Sequence, residues 1–249
     1  YLNMFTLCTI CARAGSKGLK NKALKKINGR PLISYTIRQA LKSKMFDEVV
    51  ISTDSKKIQK IAKKYGAKTW FLRPKKIASD KSSKLLAVRH ALLESERFFK
   101  VKFDICVDLD ITSPLRNIND IKKSLKLFKR KNANNLISIC PAKKNPYFNM
   151  IEIQQKKIRI VKFKKDSNKY SRSYSSDYGI VRRQDAPIVY EMNASIYIYK
   201  RMSLIKKFKL LNSKTITYLM PRNRSADIDD IDDFNLVKTI IKSDDRLFR

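Results

Sequence analysis

Residues 6–22 read Thr-Leu-Cys-Thr-Ile-Cys-Ala-Arg-Ala-Gly-Ser-Lys-Gly-Leu-Lys-Asn-Lys. The run from Phe5 to Cys11 is mostly apolar and β-compatible, as a buried strand requires. Ala12 to Lys22 then breaks into a loop with two glycines and four basic residues. A strand followed by such a loop is how an open α/β sheet presents a ligand site at the carboxyl ends of its strands. The small residues let the backbone approach an anion, and the amides, Ser16 and the basic side chains supply donors for a triphosphate. Neither G-x-x-x-x-G-K-[ST] nor G-x-G-x-x-G is present, so an ATPase or a dinucleotide enzyme is not indicated. The competing reading is a solvated basic loop.

Outward from this stretch the chain alternates. Pro31 starts a helical pattern with apolar Leu32, Tyr35, Ala40 and Leu41, proline being tolerated at the first helical position. Phe46 to Ser52 reads as a strand, Ser55 to Tyr65 as a helix with Gly66 as its C-terminal stop, and Thr69 to Leu72 as a short strand. A long helix is expected over Ser82 to Phe99, a strand over Phe103 to Leu109, a helix over Asp120 to Lys129 and a strand over Leu136 to Cys140. Strands at Ala194 to Tyr199 and Thr215 to Met220 and a helix from Asp232 to Ile241 close the series. Repeated β-α units with near-continuous apolar strands predict an α/β fold, a mainly parallel sheet covered by helices on both faces. The rhythm fails between Lys143 and Tyr190, where Met150 to Ile153 and Ile158 to Phe163 flank a Ser/Tyr-rich stretch, the pattern of an inserted β-hairpin arm with a long loop.

Five aspartates fall within seven residues in Asp227-Ile228-Asp229-Asp230-Ile231-Asp232-Asp233. In an extended segment Asp227 and Asp229 share one side and can hold a hard cation beside phosphate oxygens. Asp232 and Asp233 suit the first turn of a helix, where the dipole favours acids. A basic loop and a carboxylate pair on one sheet suggest metal-assisted nucleotidyl or phosphoryl transfer. The single histidine, His90, lies mid-helix, which argues against a His-based zinc site or a Ser-His-Asp hydrolase. Cys8-x-x-Cys11 has no second pair nearby, and all four cysteines sit in apolar segments as reduced core thiols would.

The 249 residues carry 56 Lys or Arg against 22 Asp or Glu, a formal charge of +34. Such a charge invites a nucleic-acid partner, but the cations are spread through nearly every segment and 39 of them are lysine, whereas base readout and bidentate phosphate binding favour arginine. Nucleic acid is therefore disfavoured as the main partner. No apolar run reaches the ~18 residues of a membrane span, so a soluble, cytoplasmic protein without a membrane partner is expected.

Together the motifs resemble the acylneuraminate cytidylyltransferase family, the CMP-sialic acid synthetases and their relatives. The resemblance rests on Ala12 to Lys22, Asn28-Gly29-Arg30-Pro31-Leu32, Ile51-Ser52-Thr53-Asp54, Leu72-Arg73-Pro74, Ala78-Ser79-Asp80, Thr112-Ser113-Pro114-Leu115-Arg116, Asn193-Ala194 and Asp227-Ile228-Asp229. It implies a three-layer, Rossmann-like nucleotidyltransferase fold over residues 1–142 and 193–249, with a dimerisation arm at 143–192 and a homodimer. It implies attack by the anomeric hydroxyl of a nonulosonic acid on the α-phosphate of CTP, with Mg²⁺, giving a CMP-sugar and pyrophosphate.

Carried over by position, Arg13, Ser16, Lys17 and Lys22 would meet the triphosphate. Arg73 and Ser82 would meet cytosine and ribose, and Asp227 and Asp229 the metal. Arg13, Lys22 and Asp229 would form the catalytic set. Asp110, Arg183 and Tyr197 would face the sugar. Ala14 and Ala23 stand where the family usually has Gly and Asn. Asp110 stands where the sialic acid enzymes carry Gln, and Asp108-Leu109-Asp110 looks more like relatives that activate legionaminic acid. The alternatives are a cytidylyltransferase for the eight-carbon acid Kdo, or a basic nucleic-acid-binding protein that kept the fold without catalysis.

Overall fold

β1 (Thr6–Cys11) lies inside a six-stranded sheet, and its alternate residues explain the layers on either side. The computed structural model describes residues 4–15, 18–79, 82–155, 157–162, 174–175, 179–180, 182–207 and 209–243. After β1 come the short strands β2 (Lys26–Ile27) and β3 (Arg30–Pro31), then α1 (Leu32–Ser43), β4 (Glu48–Ser52), α2 (Lys56–Lys64) and α3 (Lys84–Phe99). β5 (Ile105–Leu109), α4 (Ile118–Lys131) and β6 (Asn135–Pro141) follow. Then come β7 (Ile151–Gln154), β8 (Lys157–Ile160), β9 (Tyr174–Ser175), β10 (Gly179–Ile180), β11 (Tyr190–Lys200), β12 (Thr215–Leu219) and α5 (Ile231–Ser243).

The sheet order is β12-β6-β11-β5-β1-β4. β1 pairs in parallel with β4 and β5, and β12 pairs in parallel with β6. Leu7 packs with Val88 and Leu92 of α3, whereas Cys8 and Ile10 pack with Ile33 and Ile37 of α1, Ile58 of α2 and Leu125 of α4. Successive strand residues point to opposite faces, so this division makes three layers. A smaller cluster joins Leu19 of the basic loop and Ile228 of the acidic segment to Leu32 and Tyr35 of α1 and Phe234, Val237 and Ile241 of α5. Hydrophobic packing thus carries the two chemistry-bearing segments to the same end of the sheet.

Local details refine the sequence pattern. No strand forms at Thr69 to Leu72; the chain makes one bridge, Val50 to Lys68, and then turns away. Trp70 and Phe71 owe their apolar character to an aromatic cluster, with Trp70 stacked on Phe98 at 4.2 Å between centroids. Gln59 Nε2 donates to the Thr69 hydroxyl and to the Phe71 carbonyl, the second of which a ladder would use. β11 runs antiparallel to β5. α4 begins two residues before Asp120 because Asn117 caps it, Asp120 accepting the Asn117 amide in return. Pro31 is the N-cap of α1 rather than its first helical residue.

The chain divides into two compact units, Tyr1–Ile139 with Met192–Arg249, and Cys140–Glu191. In the second unit β7 and β8 form an antiparallel hairpin with Ile151 opposite Ile160 and Ile153 opposite Ile158. Ile151, Ile153 and Ile158 are exposed on it. The sequence pattern there extended to Phe163, which lies outside the described residues.

Candidate active site

The loop after β1 turns over the end of the sheet and forms one wall of a cleft of about 270 Å³. Arg13, Lys22, Arg73, Ser82, Lys84, Asp110 and Thr112 are among the residues lining it. The loop is tied to β4: the Ala12 amide donates to Ser52 O, and the Ala14 amide donates to Asp54 Oδ1 at 2.8 Å. Arg73 is buried, with Nε donating to Ser52 Oγ at 3.0 Å and Nη2 to Ser52 O. Its guanidinium plane is therefore fixed before any ligand arrives. Ser82 closes its own turn, donating to Lys76 O at 2.7 Å, and meets the Ser79 hydroxyl at 2.9 Å.

Lys22 is the link between the basic and acidic segments. It is 8% exposed, its ammonium donates to Ile228 O, and it stands 3.8 Å from Asp229 Oδ1. The acidic segment is held in turn by Ile228 N–H on Thr112 O at 2.9 Å and by Ile228 in the core. Asp229 is largely exposed, while Asp227 is turned inward. Asp227 Oδ1 is buried with no hydrogen-bond partner. Burial first, then the carboxylates of Asp110 and Asp229, raise the Asp227 pKa to about 6, against the lowering pull of Thr112 and Lys22. Asp232 and Asp233 occupy the first turn of α5, Asp233 accepting the amides of Asp229 and Asp230.

The opposite wall is built on β5. Asp108 is wholly buried and accepts from the Thr9 hydroxyl at 3.1 Å. Lys84 reaches it at 2.7 Å and Asp110 at 2.5 Å. Burial raises the Asp110 pKa, but Lys84 and the Thr112 amide more than offset it, leaving a carboxyl below its ordinary range. Arg116, fully buried, donates to the Asp110 carbonyl, to the Thr36 hydroxyl at 2.7 Å and to Ser195 O at 3.0 Å. Desolvation lowers the Arg116 pKa to about 10. Lys84 also lies 5.5 Å from the centroid of the Tyr197 ring. Tyr197 is placed by β11, within which Ala194 takes φ +52 and Asn193 bonds Ser138 and Ser225.

Cys11 also lines this cleft, and burial first, Asp108 second, push its thiol up to about 12. A thiol at 12 rather than 9 has about a thousandfold less thiolate at pH 8, partly offset by that thiolate's greater nucleophilicity, so Cys11 is expected to alkylate about 30-fold or more slower than a free cysteine. Peptide mapping after timed iodoacetamide treatment checks this. All four cysteines are free thiols, as the sequence suggested.

Of the residues singled out in the sequence, Arg13, Lys22, Arg73, Ser82 and Asp110 meet in the cleft. Asp227, Asp229 and Tyr197 adjoin it through Thr112, Lys22 and Lys84. Ser16 and Lys17 lie outside the described residues. Arg183 is exposed on a short turn, Arg183–Asp185, of the second unit. Lys84 and the clamp role of Asp54 were missed. Asp54 sat in a quoted motif without a partner in view, and Lys84 was one lysine among 39.

A family model described as cytidylyltransferase matches residues 7–235. The chain belongs to the cytidylyltransferase family. Among relatives of this cytidylyltransferase, the CMP-N,N'-diacetyllegionaminic acid synthase of Campylobacter jejuni is 44% identical over 235 residues, spanning 94% of each chain. The post-translational flagellin modification protein B of Campylobacter coli is 44% identical over 95% of this chain and 94% of its own. The fold matches a CMP-2-keto-3-deoxy-manno-octonic acid synthetase solved with CTP, at a TM-score of 0.67 and 16% identity, covering 96% of this chain and 99% of that one. Among the described residues, no helix is long and apolar enough to cross a membrane.

Proposed function

We propose that this cytidylyltransferase transfers CMP from CTP to the anomeric hydroxyl of a nonulosonic acid of the legionaminic type, releasing pyrophosphate. The observation that carries the reading is Lys22, which joins the basic loop to the Asp227–Asp229 segment at the mouth of one cleft. The likeness to the legionaminic acid synthase supports the substrate class. Arg13 and Lys22, with Ser16 and Lys17, serve the triphosphate, and Lys22 neutralises charge on the α-phosphate and leaving group as the bond breaks. Arg73 and Ser82 serve the base and ribose. Asp110 and Tyr197 serve the sugar.

Asp227 and Asp229 fit a Mg²⁺ ion: one offers a buried oxygen without a partner, the other an exposed carboxylate. Among the described residues no group of three or more His, Cys, Asp or Glu forms a cage. That suits a cation that binds one or two carboxylates and takes its other ligands from phosphate and water. When bound, the ion supplies charge neutralisation to the phosphates and lowers the pKa of a coordinated hydroxyl. The exposed isoleucines of the β7–β8 hairpin fit a homodimer contact through the second unit. A CTP-consuming reaction of this kind belongs in the cytoplasm.

The test is pyrophosphate release from CTP and Mg²⁺ with N,N'-diacetyllegionaminic acid, N-acetylneuraminic acid and Kdo offered separately. Release is expected with the first, and less with the others. Release with Kdo alone would select the eight-carbon reading, and none with any acid would sink the proposal. A further prediction concerns Gly18, where an added Cβ would stand 2.3 Å from the Asp229 carbonyl oxygen. Gly18→Ala must push the loop and the acidic segment apart. It is expected to lower kcat/KM by about 10²-fold, the scale for a displacement of ~1 Å near reacting groups. Steady-state kinetics beside a melting curve checks that the fold survives.

A further inference from the structure

Lys84 occupies a position that helix energetics disfavours. It is the first residue of α3, directly after the Ser83 cap, where the unsatisfied amides already carry positive charge and no acid stands in the first turn. A cation there needs a compensating reason. The structure supplies one in the two carboxylates facing it. Asp108 lies in β5 and Asp110 one residue beyond its end, and both carboxylates turn to the Lys84 ammonium. Asp108 is fully buried, and its one ion pair among the described residues is with Lys84. It acts as an anchor that holds the ammonium at 2.7 Å, and the same ammonium meets Asp110 Oδ2 at 2.5 Å.

The other contacts of Asp110 are equally fixed. Its Oδ1 accepts the Thr112 amide at 3.1 Å, and its carbonyl accepts from the buried Arg116. Asp110 and Lys84 both line the cleft, and Lys84 remains a third exposed. A carboxylate so held is an acceptor with no proton to give, in a cavity that Arg13 and Lys22 also line. It repels phosphate and suits a neutral part of a substrate that bears hydroxyl or amide N–H donors.

We propose that Lys84 is a specificity-determining positioning residue, which through Asp108 and Asp110 fixes the acceptor that selects the sugar by its hydrogen-bond donors. This rests on the functional reading above. Lys84 acts through Asp110 and takes no part in phosphoryl chemistry. Without it, Asp108 loses its ion pair, and the Asp110 side chain keeps only the Thr112 amide on Oδ1. A site built around one hydrogen-bonding group discriminates strongly against ligands that fail to meet it.

The test compares KM for N,N'-diacetyllegionaminic acid, KM for CTP and kcat in the wild type, Lys84→Met, Lys84→Arg, Asp110→Asn and the double variant Lys84→Met with Asp110→Asn. Lys84→Met is expected to raise the sugar KM by about 30-fold, the lower end for removing one partner of a hydrogen-bonded charge pair because Lys84 is a third exposed, with CTP KM within about threefold. Lys84→Arg should recover most of the loss, and the double variant should be no worse than the poorer single one. An unchanged sugar KM, a CTP KM that rises as much as the sugar's, or single effects that multiply would overturn the proposal. Should Lys84→Met fail to fold, Lys84→Gln must show the same sugar-selective shift. Absence of turnover by the wild type with every nonulosonic acid removes the functional reading itself. Normal wild-type turnover with an unshifted variant removes only the role of Lys84.

Discussion

Lys22→Met is expected to lower kcat by about 10²- to 10³-fold or more, the scale for removing one preorganised group that stabilises developing charge. Methionine keeps the buried stem and removes only the ammonium. The Ile228 carbonyl then loses its donor, a cost of about 1–3 kcal/mol, so the melting temperature should fall by several degrees without loss of the fold. Because Lys22 meets the acidic segment as well as the cleft, KM for CTP should rise too. Circular dichroism, a melting curve and steady-state rates together check the outcome. Near-normal kcat would show that the buried lysine is only a brace between two segments.

Asp229→Asn should be as damaging to turnover and nearly silent in stability. Its side chain is 82% exposed, so the substitution removes little that holds the fold. Loss of one of two carboxylate ligands is expected to lower the rate by on the order of 10³-fold, since a bound metal contributes several kcal/mol of charge stabilisation. Asp227→Asn should behave differently. The folded-state pKa of Asp227 is raised from 3.8 to about 6, chiefly by burial. Its protonated form therefore favours the folded state, a contribution fully present below pH 3.8 and lost as pH rises through about 6. In metal-free buffer at pH 7.5, Asp227→Asn should melt higher than the wild type and yet be inactive, and the difference in melting should vanish near pH 4. That trade of stability against activity is expected where a site is built from strained charges. A destabilised Asp227→Asn would contradict the placement of the buried carboxylate.

The strands and most helices were legible because burial on both faces keeps β1, β4 and β5 mostly apolar, with Thr6, Thr9, Glu48, Ser52 and Asp108 the exceptions. Thr69 to Leu72 misled because aromatic packing and strand pairing both use large apolar residues, and only the side-chain bonds of Gln59 show which one won. Arg13, Lys22 and Asp229 were legible because loop chemistry and charge pattern announce them locally. Lys84 was not, since its meaning comes from carboxylates 24 and 26 residues away that only the fold brings within 2.7 Å. The +34 charge, the loudest signal in the composition, locates none of this. A few cations serve the cleft, and those on helix faces such as Lys56, Lys57 and Lys60 of α2 stand in solvent or half-exposed.

Phosphorus-31 NMR of the wild-type protein with Mg²⁺ and equal CTP and N,N'-diacetyllegionaminic acid tests the central claim most directly. The three CTP resonances should give way to one pyrophosphate signal and one phosphodiester signal of the CMP-sugar, in equal molar amounts. Unchanged CTP, or pyrophosphate accompanied by free CMP with the sugar untouched, would contradict it.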